Sequence, residues 1–280
     1  MAHPDMAQER LPEDAIVLNW CYRREVAEWI PKMFWERGFE QIACTGTSCW
    51  DNFIENVFIS TGNISSFAAH AKKYGALGIL NTNWGDFGHV CAFGCNLYGM
   101  LFGAQKGWNE GAKTDEEYER AASLLLYGVR DCNMADVLRS LAKASATCSW
   151  TEFVIWHSAV TLEGKDVPLS YGRGHLMKLG PKDAIHSIEI CEKELKRLWG
   201  LRGLKEPVFE DLILAVRALI LMNREVLYVN GVSGYTDKES LQTDFDRWFC
   251  DYSAAWLRAN KPSDLWRIGE FIKNITDVKQ

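Results

Sequence analysis

No stretch of this chain approaches the ~18 consecutive apolar residues that a membrane-spanning helix needs, so no membrane partner is expected. There is no lysine- or arginine-rich cluster either. With 31 basic against 37 acidic residues the formal net charge is −6, which argues against nucleic acid, a partner that draws on a basic face. The first ten residues are polar and carry no apolar core, so no signal peptide is read there and a cytoplasmic setting is expected. The nine cysteines are odd in number and scattered. The close pairs Cys44/Cys49 and Cys91/Cys95 have no second pair to complete a zinc site, and free thiols are expected. His157, His175 and His186 are far apart and lack a paired acid at helical spacing, so no metal and no cofactor is expected. The polar run 45–50 has no lysine after its glycine, which excludes a phosphate loop. No nucleophile elbow, fixed-period repeat or low-complexity tract is present. The sequons at Asn63 and Asn274 read as chance matches without a secretion signal.

What the chain does have is tryptophan, 12 in 280 residues, and a recurring design that ends apolar runs in polar and aromatic residues. In 78–86 (Gly-Ile-Leu-Asn-Thr-Asn-Trp-Gly-Asp) a strand turns polar and presents Trp84, Gly85 and Asp86 together. An indole can cover the apolar face of a pyranose while a carboxylate accepts hydrogen bonds from its hydroxyls. Residues 14–22 end in Asn19, Trp20 and Tyr22, and residues 39–50 end in Trp50. Three such endings on one face suggest a carbohydrate site lined by Trp20, Tyr22, Trp50, Trp84 and Asp86. Each has a blander alternative. Asp86 is equally a helix cap, Trp50 a core residue, and Trp20 with Tyr22 ordinary packing. His89 is either a ligand contact or a histidine bonded within its turn, and Asp51 and Asn52 either cap the next segment or point inward.

The first ~110 residues alternate strand and helix, the pattern of parallel βα units. Strands are predicted over 16–20, 41–44 and 78–80, each apolar throughout as in sheets covered on both faces. Helices are predicted over 23–37, where Pro31 must kink or divide the segment, and over 65–74, opened by Asn63 and closed by Gly75. Glu25 is expected in the first turn of the former. Beyond Trp108 the chain reads as helical: Thr114 opens a capping box, Asn133 caps a second helix to about Ala146, and Pro181 starts a third to Trp199. Further helices are predicted over 206–230, ended by Gly231, over 238–260 and over 263–276. The expected fold is α/β then all-α, with domains 1–110 and 111–280.

Residues 74–86 resemble the last barrel strand of glycoside hydrolase family 20, the β-N-acetylhexosaminidases, and look closest to a bacterial branch with Trp-Gly-Asp-x-Gly-His at that point. Residues 16–22 and 42–50 resemble strands six and seven of the same barrel. The resemblance covers residues 1–110 well and the helical remainder loosely. It implies the last three βα units of a TIM-type barrel, incomplete here because closure takes about eight strands, followed by a helical domain. It gives Trp84 the floor of the sugar pocket, Asp86 the outer hydroxyls, Trp20 the strand-six aromatic, and the region of Trp50 the strand-seven contribution. The implied chemistry is substrate-assisted: the substrate's acetamido oxygen attacks the anomeric carbon, and an Asp-Glu pair near the end of strand four orients the acetamide and protonates the leaving group.

That pair is missing from the positions where it would be needed. Adjacent acids occur at Glu13-Asp14, Asp115-Glu116-Glu117 and Glu210-Asp211, before a strand or at helix starts. The chain is therefore expected to hold substrate-binding residues for an N-acetylhexosamine-containing saccharide and no catalytic residue. Two other readings remain: a non-catalytic carbohydrate-binding protein, or a helical interaction module in which 206–230 supplies the surface of a homo-oligomer. The first expectation predicts that the pure chain releases no chromogenic leaving group from an N-acetylglucosaminide; measurable release above the uncatalysed rate would contradict it.

Overall fold

The computed structural model describes Pro12, residues 14–109, 115–161, 180–201, Gly203, and residues 205–273 and 275–277. In chain order these form β1 (Ile16–Trp20), α1 (Trp29–Glu36), β2 (Glu40–Cys44), α2 (Val57–Lys73), β3 (Gly78–Ile79), 3-10 turns at Asp86–Gly88 and Phe93–Cys95, α3 (Leu97–Trp108), α4 (Asp115–Tyr127), α5 (Met134–Thr147), α6 (Trp150–Thr161), α7 (Pro181–Gly200), α8 (Val208–Val229), α9 (Lys238–Ala259), a 3-10 turn at Pro262–Asp264, and α10 (Leu265–Ile272). The chain is thus mixed α/β with a small parallel sheet, and mostly helical. It divides into two compact units, one of Met1–Ser48, Val57–Asn83 and Tyr98–Tyr118, the other of Cys49–Asn56, Trp84–Leu97 and Glu119–Gln280.

The first unit holds the sheet, ordered β1-β2-β3 and parallel throughout. β1 pairs from Ile16 opposite Glu40 to Trp20 opposite Cys44. β3 pairs over Ile42–Gly78 and Ala43–Ile79, and a further bridge joins Gly46 to Thr82. Ala43 packs with Val26, with Phe67 and Ala71 of α2, and with Ile30 of α1 and Ile79. Both crossover helices therefore cover one face. Alternation puts Ile16, Leu18 and Trp20 on the other face, where they are exposed by 48, 54 and 69%. This corrects the expectation of strands buried on both sides: β1 is apolar throughout, yet among the described residues of this unit nothing covers half of it.

Local departures have local causes. The helix expected from residue 23 forms only from Trp29, with Pro31 in its first turn, where a missing N–H costs nothing; Glu25 lies before it, outside any helical turn. α2 starts at Val57, so Asn63 is in its middle rather than at its start. Gly75, at φ +58, closes it as expected. α3 was not among the expected helices, and it carries Gly99, Gly103 and Gly107. They form a bare stripe. A Cβ on Gly103 would lie 2.2 Å from Asn81 Nδ2, and one on Gly107 3.0 Å from Ile79 Cγ1, so glycine lets the helix lie close against β3.

The second unit is helical, with no strand among its described residues. Its most buried helix is α8, with apolar side chains enclosed almost all round, from Leu212 to Tyr228. The apolar surface that sequence offered for self-association is spent inside this unit. Phe53 is wholly buried and meets Trp150, Trp248 and Tyr252 edge-on, at 5.5, 5.5 and 6.1 Å between centroids. Asn133 caps α5 by accepting from Ala135 N, and Asp237 caps α9 by accepting from Ser240 N. Pro181 opens α7 and Gly231, at φ +65, ends α8. The segment predicted over 263–276 divides into the turn Pro262–Asp264 and α10. The expected cap Thr114, the sequon at Asn274 and His175 lie outside the described residues. No described helix is long and apolar enough to cross a membrane.

Glu225 of α8 is fully buried, and neither carboxyl oxygen has a hydrogen bond. Burial pushes its pKa from 4.5 up to about 8, against a small opposing pull from Lys238. His157 Nε2 lies 3.9 Å away and bonds Ile275 O at 2.5 Å; burial pushes the imidazole pKa down. Between about pH 4.5 and about 8 the native state holds a proton on Glu225 that the unfolded chain releases, so this group makes stability fall as pH rises. His157 acts oppositely, withdrawing stability as pH falls below its unfolded value. Thermal melting of Glu225→Gln beside wild type should therefore show the variant gaining on wild type steadily between about pH 5 and about pH 8; parallel curves would mean Glu225 is already ionised in the native state.

Candidate functional site

The carboxyl ends of the strands are tied by buried side-chain hydrogen bonds. Thr45 Oγ1 donates to Asn81 Oδ1 at 2.9 Å and Thr47 Oγ1 to Asn83 Oδ1 at 3.3 Å. Thr82 Oγ1 donates to Thr45 O at 2.8 Å and lies 3.3 Å from Tyr22 Oη. Asn19 Nδ2 donates to Gln41 Oε1, whose amide donates to Pro31 O, the partner a polar group in an apolar strand requires. Thr45 and Thr47 are fully buried; their hydroxyls hold β2 to the segment after β3 instead of facing a ligand.

Asn63 is the residue that sequence reading undervalued. Fully buried in α2, it donates to Cys21 O and Arg23 O at 2.7 Å each and accepts from Gly46 N at 3.1 Å. It thereby clamps the turns after β1 and β2. The sequon it begins is thus inaccessible in the folded chain. Its signal in the sequence was a polar residue amid an apolar helical face.

Trp20 and Tyr22 come together in the first unit, stacked at 5.7 Å with 29° between planes. They border a hollow of about 540 Å³ along β1, lined also by Asn19, Arg23, Glu25 and Trp29. The other three residues belong to the second unit. Trp84 is 50% exposed, and its carbonyl accepts from Cys49 Sγ at 3.6 Å. Asp86 is exposed and is the first residue of the turn Asp86–Gly88, whose N-cap position is taken by Gly85. Trp50 is partly buried. The two residues after it point inward and do not cap the following segment: Asp51 O accepts from Trp150 N at 2.8 Å, Asp51 Oδ1 from Thr151 Oγ1 at 2.6 Å, and Asn52 Oδ1 from Ser145 Oγ at 2.7 Å.

The Trp84 turn is closed by His89. Its N–H donates to Asp86 O at 3.3 Å, and the residue is left-handed, at φ 55 and ψ 48. All nine cysteines are free thiols. Cys91 is held protonated by a hydrogen bond with Cys49 and by burial, Cys95 by burial, and burial pushes Cys191 up to about 12; none of these three has nucleophile chemistry at neutral pH. Among the described residues no group of three or more His, Cys, Asp and Glu is placed to hold a metal ion.

Asn63→Ala removes three hydrogen bonds and strands two carbonyls and an amide, and should cost about 2–4 kcal/mol in urea unfolding; a loss under about 0.5 kcal/mol would mean the turns hold without the clamp. Set against known proteins, the chain matches no family model and no curated relative.

Proposed function

We propose that this chain is the C-terminal part of a glycoside hydrolase related to the β-N-acetylhexosaminidases, with the sugar-binding residues of such an enzyme and not its acid pair. The observation that carries the reading is the half-covered sheet. Parallel sheets are stable when both faces are buried. A sheet whose crossover helices all lie on one face buries its other face by closing on itself, as TIM barrels do with about eight strands. Ile16, Leu18 and Trp20 of β1 are the bare side chains that such closure would cover. The helix-covered face and the parallel order β1-β2-β3 agree with three consecutive units of that barrel.

In this reading Trp84 offers its exposed ring to the apolar face of an N-acetylhexosamine, and Asp86 accepts hydrogen bonds from its outer hydroxyls. Trp50 belongs to the same unit as Trp84 and Asp86, the protein is cytoplasmic, and the general acid comes from barrel strands outside this chain. A non-catalytic sugar binder is the second reading, favoured by the aromatic-lined hollow beside Trp20, Tyr22 and Trp29.

Titration of the chain with N-acetylglucosamine, followed by tryptophan emission, tests the site. A saturable shift is expected in wild type, absent in Trp84→Ala and about tenfold weaker in Asp86→Asn, since charge-assisted hydrogen bonds contribute about 1.5–3 kcal/mol. No shift in wild type, or one that Trp84→Ala retains, would remove the saccharide from this turn. Attachment of upstream barrel strands bearing an Asp-Glu pair should confer hydrolysis under the first reading and not the second.

A further inference from the structure

We infer that His89, braced by Trp256, is the positioning residue that sets the Trp84–Asp86 turn, so that the helical unit is the frame of this binding turn and not a separate module. The inference rests on the sugar-binding reading for its purpose and on the following geometry for its substance. The His89 side chain folds back over the backbone of Gly85: a Cβ there would lie 2.0 Å from Nδ1, 2.7 Å from Cγ and 2.9 Å from Cβ of His89. Only glycine leaves room for the ring. His89 holds the left-handed conformation, which is uncommon for a residue with a side chain and persists only where the surroundings fix it.

Those surroundings are α9 and α10. Trp256 of α9 meets the imidazole edge-on, at 6.5 Å and 75°. Trp256 is itself buried and pinned, its Nε1 donating to Lys261 O at 2.9 Å. One helical turn earlier, Tyr252 packs on Trp256 at 5.9 Å and donates its hydroxyl to Val90 O at 3.1 Å. Ile268 of α10 stands beside Gly88, 3.9 Å from where a Cβ would be. Farther along, Asp211 of α8 accepts from Gly94 N at 3.0 Å. The segment Trp84–Leu97 is thus fastened to three helices; Cys49 holds the Trp84 carbonyl, and Trp256 braces the ring that folds over Gly85. Neither residue is required to touch sugar. They fix the backbone from which the indole and carboxylate project, which matters because a loosely held turn must lose conformational entropy on binding.

The test combines two readouts on the full chain: amide hydrogen exchange over residues 84–90 without ligand, and affinity for N-acetylglucosamine. His89→Asn tolerates the left-handed backbone but removes the ring. Trp256→Phe keeps an aromatic edge, and Trp256→Ala does not. Exchange over 84–90 should quicken about tenfold in His89→Asn and Trp256→Ala while α8 exchange stays at the wild-type rate, with Trp256→Phe within about twofold of wild type. Affinity should fall about tenfold in the first two and return in the third. Wild-type exchange and affinity in His89→Asn would overturn the inference. So would loss confined to Trp256→Ala and accompanied by faster exchange in α8, the mark of a purely structural tryptophan. If wild type binds no sugar while exchange over 84–90 responds as described, the positioning role stands and the saccharide reading falls.

Discussion

Backbone groups at the ends of parallel strands must find partners once the ladder stops, and the first unit is organised around that requirement. β1, β2 and β3 run the same way, so their carboxyl ends come to one side. There the ladder gives way to side chains: Asn63 clamps Cys21, Arg23 and Gly46, while Thr45 and Thr47 reach Asn81 and Asn83. Buried polar groups are costly when unpaired and rigid when paired. The polar endings that made these strands look like ligand-binding segments therefore divide into two classes. Thr45, Thr47, Asn81 and Asn83 are consumed in holding the strand ends. Trp84 and Asp86, just beyond them, are exposed, Trp84 by half.

The second unit meets the same requirement differently. α6 is capped locally by Ser149, whose Oγ accepts from Glu152 N at 3.3 Å, and also from far away in sequence: the carbonyl of Asp51 accepts from Trp150 N at 2.8 Å, and Asp51 Oδ1 accepts from Thr151 Oγ1. That segment also delivers Phe53 into the ring cluster of Trp150, Trp248 and Tyr252. One short stretch, Cys49–Asn56, thus both closes a helix end and fills the core between helices. Beside Asn96, Ser187 and Asn223, which also keep buried polar atoms unpaired, Glu225 is an exception. Its carboxyl oxygens lack partners, and the protein accommodates them by keeping the group protonated.

This contrast explains which parts of the fold were legible in the sequence. β1 was readable to the residue, and so were the starts of α5, α7 and α9, because short apolar runs and the caps Asn133, Pro181 and Asp237 act within a few residues of their element. α3 was not readable, because what makes it a helix is remote; α6 was missed although its cap, Ser149 with Glu152 three residues on, is local. The glycines of α3 serve a close approach to Asn81 and Ile79. The site was legible as residue types, since Trp84 and Asp86 stand exposed side by side, but not as a mechanism of support. Nothing near His89 in sequence announces Trp256, and Asn63 looked like a cap or a sequon when it is a clamp.

Exposed tryptophan is the remaining clue, and the fold separates its cases. Trp150, Trp248 and Trp256 are buried and explained by packing. Trp20 is exposed on the bare face of the sheet, beside Leu18 and Ile16, where the apolar area calls for cover by more protein. Trp84 differs from both. It projects from a turn that belongs to a densely packed helical unit, on a backbone held shut by His89, and its neighbour in the turn is a carboxylate. Further protein closing over the sheet would satisfy Trp20 without requiring anything of Trp84. A half-exposed indole on a fixed turn, two residues from an acid, is the arrangement on which the proposed saccharide would draw.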